Sequence, residues 1–142
     1  MTFKVGMIIT IQPNLEQAFE FYKTLGLEAK FHLKDRWAEF QIGDVKLGLC
    51  PTDQELGEHH TGLVLEVKDL YQLHKDLTAK GITFATEPKE APHGIMASIK
   101  DPGNNIIDLY QPTPEKVQDL VRKASEQGNE EDGCCGSSER CC

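Results

Sequence analysis

The chain opens on an unbroken apolar run. Residues 5–11 (VGMIITI) are largely β-branched and predict a strand, which Pro13-Asn14 ends. Asn14 followed by Gln17 has the layout of a capping box, and Leu15, Ala18, Phe19, Tyr22 and Leu25 recur on one helical face. Gly26 falls where that helix would stop. Strands are predicted next over 29–33, 37–42 and 45–49. The middle one alternates Ala38, Phe40 and Ile42 with Trp37, Glu39 and Gln41, so one face joins a core and the other carries mixed chemistry.

The pattern then starts again. Residues 51–60 read as a polar linker and 62–67 as a strand; Asp69 with Gln72 forms a second cap, and Leu70, Leu73 and Leu77 form a second stripe closed by Gly81. The two cap residues, 14 and 69, lie 55 positions apart, as do the two closing glycines, 26 and 81. That spacing indicates an internal duplication of a β-α-β-β-β unit. Strands over 82–86, 95–99 and 106–110 complete the second copy, with a looser connection over 88–92. One domain is expected over 1–112, made of modules 3–50 and 61–112. Thr113 and Pro114 then cap a helix over 113–126, with Val117, Leu120 and Val121 as its docking face. From 127 to 142 the composition of Gly, Ser, Asn and acid predicts disorder.

Two places carry candidate chemistry. Asp101-Pro102-Gly103-Asn104 is a turn, and the short strand after it holds Asp108 at its centre. A buried carboxylate requires a partner, a proton or a metal. The other place is the C-terminus, where Cys134, Cys135, Cys141 and Cys142 form two adjacent pairs while Cys50 stands apart. Four thiolates so close could wrap a soft ion such as Cu(I) or a trivalent metalloid, or form an exposed tail without a fixed role.

Composition narrows the partners. The chain has 142 residues and a net charge of −8, with no basic stripe of the kind nucleic acid or an anionic membrane surface requires. No apolar run approaches the roughly 20 residues of a spanning helix, and the start lacks a signal-peptide layout. A cytoplasmic location is expected.

The segments NLEQAFEFYKTLGL (14–27) and KDPGNNIIDLYQP (100–112), set in paired βαβββ modules, resemble the vicinal oxygen chelate superfamily. That family includes glyoxalase I, the bleomycin- and fosfomycin-resistance proteins and the extradiol dioxygenases. The resemblance implies an α+β fold, two curved four-stranded sheets forming a cup with helices outside and the ligand within. In metal-dependent members the ion is held at the start of each module's first strand and the middle of its last. Strand parity puts Gly6, Gly48, Gly62 and Asp108 at those positions, and glycine has no donor side chain.

By the same parity Met7, Ile9 and Ile11 face the helix, and Thr10, Trp37, Glu39, Glu66, Asp108 and Tyr110 line the cup as ligand-binding residues, with Ala97 and Ile99 beside them. A wall combining Trp, Tyr and acids suits a flat or cationic organic molecule. Binding such a molecule without a cofactor is the reading these residues support. An enzyme is the alternative: a lyase or dioxygenase with a divalent metal on Asp108 and His60, or an acid–base catalyst using Asp108, Glu66 and Glu39. Soft-metal binding by the tail is a third. Bleomycin-binding members hold their ligand between two subunits, which implies a homodimer.

Overall fold

A computed structural model describes residues 2–126. The disorder expected over 127–142, and soft-metal binding by Cys134, Cys135, Cys141 and Cys142, lie outside the described residues. The first module comprises β1 (Met7–Gln12), α1 (Leu15–Thr24), β2 (Glu28–Leu33), β3 (Trp37–Ile42) and β4 (Val45–Pro51). The second comprises β5 (His59–Glu66), α2 (Leu70–Ala79), β6 (Phe84–Ala91), β7 (Gly94–Lys100) and β8 (Asn105–Pro112), and α3 (Pro114–Glu126) follows.

Each module forms one four-stranded mixed sheet. Their strand orders are β1-β4-β3-β2 and β5-β8-β7-β6, with the first and last strand of each module paired in parallel and the hairpins antiparallel. The helix is the crossover a parallel pair requires. Both helices start and stop as the sequence predicts. The side chains of Asn14 and Asp69 each accept a bond of 3.1 Å from the backbone N–H three residues on, and Gly26 and Gly81 take φ of +96° and +90° beyond the C-terminal ends.

The helices cover one face of each sheet, and their stripes share a single core with Ala38, Phe40, Leu47, Leu49, Ile99, Ile107 and Leu109. The opposite sheet faces form the cup. Among the described residues no helix is long and apolar enough to cross a membrane.

What joins the modules is a buried carboxylate. Asp101, only 2% exposed, sits in the β7–β8 turn. Its Oδ2 accepts from Gln12 Nε2 at 2.6 Å, from Tyr22 Oη at 2.6 Å and from Asn105 Nδ2 at 3.0 Å. Its Oδ1 accepts from the backbone N–H groups of Gly103 and Asn105 at 2.9 and 3.0 Å. Asn105 also reaches the Ile11 carbonyl at 3.1 Å. Burial, and then the Asp101 charge, push the Tyr22 phenol well above its usual range, so it remains a donor. The turn fits against β1 so closely that a Cβ at Gly103 would lie 2.5 Å from Gln12 Oε1 and 2.9 Å from the Ile11 carbonyl.

Three expectations are corrected here. The connection foreseen over 88–92 is mostly strand, since β6 runs to Ala91, and its pairing with β7 slips twice before Lys89, which accommodates Pro88. His59 and His60 open β5 and are not linker. Of the docking face expected on α3, Leu120 and Val121 are 42% and 62% exposed, and the helix is tied to β6 by the Lys116–Glu90 ion pair.

Removing the joining carboxylate leaves several buried donors unsatisfied. Asp101→Ala is therefore expected to lower stability by about 3–5 kcal/mol, and Tyr22→Phe by about 1.5–3 kcal/mol, in urea unfolding. In the double variant the losses should fall well short of additive, because both changes break the same bond.

Candidate functional site

Strand register decides which side chains enter the cup. Across the first sheet Ile9, Gly48 and Glu39 stand abreast on β1, β4 and β3; across the second Val64, Asp108 and Ser98 stand abreast on β5, β8 and β7. These rows are counterparts under the duplication. Each row has one carboxylate, but on a different strand: the second-last strand in module one, the last in module two.

In module one the space above Gly48 is taken by an indole. A Cβ built on Gly48 would lie 2.8 Å from Trp37 Cζ2, 3.1 Å from Trp37 Cη2 and 3.0 Å from Met7 Sδ. The Trp37 ring is fixed at its other edge, where Nε1 donates to Glu39 Oε2 at 2.7 Å. Lys46 stands 3.9 Å from the other Glu39 oxygen. Trp37, Glu39, Gly48 and Met7 thus form one contiguous patch on the cup face.

In module two Asp108 is 4% exposed and accepts from Ser98 Oγ at 2.7 Å. Ser98 thus supplies a partner of the kind a buried carboxylate requires. Tyr110 stands one pleat along β8; its hydroxyl donates to the His93 carbonyl at 3.2 Å, and its ring meets the His93 ring edge-on at 5.3 Å. Val64 and Glu66 occupy the outer edge on β5, both exposed, with Glu66 in register with Tyr110 and His60 in register with Ile106.

Two parity assignments are corrected. Thr10 does not face the cup. It is 2% exposed on the helix side, where its hydroxyl accepts from Gln12 Nε2 at 3.0 Å, while Ile9 and Ile11 are exposed on the cup side. A strand apolar on both faces gives no alternation to orient it, and the pull of Asp101 on Gln12 settles the matter. On β7, Ala97 and Ile99 belong to the core, and Met96, Ser98 and Lys100 take the cup face. Ser98 was missed for that reason.

A metal does not fit the positions the family uses. Gly6 precedes β1, and the 55-residue repeat aligns Gly62 with Met7, so the set becomes a thioether, two glycines and Asp108. Zinc needs about three nitrogen, oxygen or thiolate ligands from the protein. The position over Gly48 is moreover filled by Trp37. Among the described residues no group of three or more His, Cys, Asp or Glu is placed to hold an ion.

Gly48 is the residue on which this patch depends. Gly48→Ala is expected to displace Trp37, shift its fluorescence maximum and lower stability by about 1–3 kcal/mol through overpacking. In a Trp37→Ala background the same change should be nearly neutral, which thermal unfolding would measure.

A model of the Glyoxalase/Bleomycin resistance protein/Dioxygenase superfamily matches residues 4–109. An uncharacterized protein of Mycolicibacterium smegmatis is 28% identical over 111 residues, covering 77% of this chain and 94% of that relative. Among solved structures, an antibiotic binding protein from a Streptomyces species is 25% identical with a TM-score of 0.65, covering 79% of this chain and 98% of its own. A fosfomycin resistance protein from Listeria monocytogenes superposes with a TM-score of 0.69 over 82% of this chain and 98% of its own, at 15% identity, and speaks for the fold alone. With its paired βαβββ modules and a family match running from the first strand almost to the end of the last, this chain belongs to the Glyoxalase/Bleomycin resistance protein/Dioxygenase superfamily.

Proposed function

We propose that this protein binds a flat organic molecule in its cup and does so without a resident metal. The observation that carries the reading is Trp37, held over Gly48 by its bond to Glu39 where a metal-dependent relative would place a ligand. An indole so fixed offers a stacking surface at little entropic cost. Glu39, and Asp108 on the other sheet, add acceptor oxygens that favour a ligand with a donor group. A structural neighbour named as an antibiotic binding protein supports the ligand class.

The cup is proposed to close between two copies. Ile9, Ile11, Phe31, Leu33 and Val64 project from the cup faces and the edges of the sheets, Ile9 being 50% exposed. Such an apolar rim on an isolated chain suits burial against a second protomer.

Trp37 is the single tryptophan of the chain, so its emission reports on the cup. Titrated with flat probes (bleomycin, riboflavin and ethidium), the protein is expected to show saturable quenching with at least one. By calorimetry Trp37→Ala should weaken that binding at least tenfold, about 1.4 kcal/mol. Unchanged affinity in that variant, or stoichiometric zinc, iron or nickel in protein truncated at Gly128, would refute the proposal. In sedimentation runs the wild type should behave as a dimer and Ile9→Glu as a monomer with impaired binding. A monomeric wild type with full binding would rule out the shared cup.

A further inference from the structure

The helix side of the molecule holds two clefts, and they differ in what lines them. One, of about 330 Å³, lies where the β7–β8 turn meets α1, and Gln17, Thr83, Lys100 and Asp101 contribute to its lining. The other lies at the end of β3 against α2. There a cavity of about 250 Å³ is bounded by Leu25, Leu27 and Ile42 of module one and by Leu65, Leu73 and Leu77 of module two.

The difference arises in the hairpin turns. Module two places Asp101-Pro102-Gly103-Asn104 between its last two strands, and the Asp101 carboxylate reaches across to Gln12 and Tyr22. Module one has only Gly43-Asp44 at the matching place; both are exposed, and neither lines the cavity. Leu65, Val67 and Leu77 of the cavity stand 55 positions on from Thr10, Gln12 and Tyr22, the residues bonded in and around Asp101, so the place that a polar hub fills in one module is an aliphatic hollow in the other. Apart from Glu66 its lining is entirely aliphatic, so a water inside would lack the two to four polar partners it needs. Leu25, Leu27, Ile42, Leu65 and Leu73 are only partly buried, which leaves the hollow open to entry from solvent.

We propose that this cavity is a second small-molecule site, separate from the cup, that takes a compact apolar group such as a single aromatic ring or a short alkyl chain. Its volume exceeds the roughly 150 Å³ of an aliphatic cavity that binds benzene and falls just below the 300 Å³ or more of drug-sized pockets. Glu66, the one charged residue at its edge, turns its side chain to the opposite sheet face with Val64, so the hollow itself is set for an apolar group.

The test is a titration of the full chain, methyl-labelled at Ile, Leu and Val, with benzene as the probe, followed by NMR. Saturable shifts are expected at the methyls of Leu25, Leu27, Leu65 and Leu73 and none at Ile9 or Ile11 on the cup face. Filling the hollow by Leu73→Phe, or separately by Leu27→Phe, should weaken benzene binding at least tenfold while Trp37 quenching by the cup probes stays unchanged. Three results would overturn the proposal: no shift up to the solubility limit of benzene, shifts that survive both fillings, or lining methyls that respond to protein concentration in place of benzene. The last would mean that a second copy covers the hollow.

Discussion

The fold depends on one buried carboxylate. Asp101 sits far from β1 and α1 in the chain, yet it is bonded to Gln12 and Tyr22 and to its own turn through two backbone N–H groups. An unpaired charge at 2% exposure would be costly, and here donors surround both oxygens. The consequence is mutual. The turn is shaped by its own bonds to Asp101, and Gln12 and Tyr22 of module one complete the shell of donors, which holds β1 with Gln12 inward. The linker is tied in as well, through Asn104 Nδ2 to the Leu56 carbonyl at 2.6 Å and Lys100 to Glu58 at 2.6 Å. Two modules that could each have folded about their own helix are thereby set in one arrangement, and the direction in which the cup faces open is fixed with it.

Because the hub selects the inward face of β1, it also sets the chemistry of the cup. Gln12 and Thr10 are drawn inward, which turns Met7, Ile9 and Ile11 outward. Met7 then lies beside Trp37 over Gly48, and the position that a metal ligand would occupy becomes part of an apolar patch. The lack of a donor at position 48 and the filling of the space above it thus belong to one arrangement. A carboxylate placed at position 48 would have nowhere to go while Trp37 is in place.

Much of this was legible in the sequence. The caps at Asn14 and Asp69, the closing glycines and the 55-residue repeat located both modules, and the alternation of 37–42 oriented β3 correctly. Orientation failed on β1 and β7, where residues on both faces are apolar or small and alternation has no content. The role of Asp101 was hidden for a different reason. Its turn was recognisable from Pro102 and Gly103, but its partners in β1 and α1 are long-range, and nothing local distinguishes a solvated turn aspartate from a buried one. Asp108, by contrast, announced itself within an apolar run, and its register partner Ser98 was lost only because β7 was turned the wrong way.

Duplication makes such differences informative, since the two halves provide an internal comparison. The cup-face rows Ile9–Gly48–Glu39 and Val64–Asp108–Ser98 each keep one acid and move it by one strand. The hairpin turns diverge more. The second has the length and the carboxylate to reach its neighbour, and the first is a short reverse turn that stays in solvent. Once one turn bridges the modules, the other is free of that task, because a single well-satisfied tie fixes their relative position. The aliphatic hollow beside α2 goes with that asymmetry: the polar tie closes the core on one side, and on the other aliphatic side chains bound an open space.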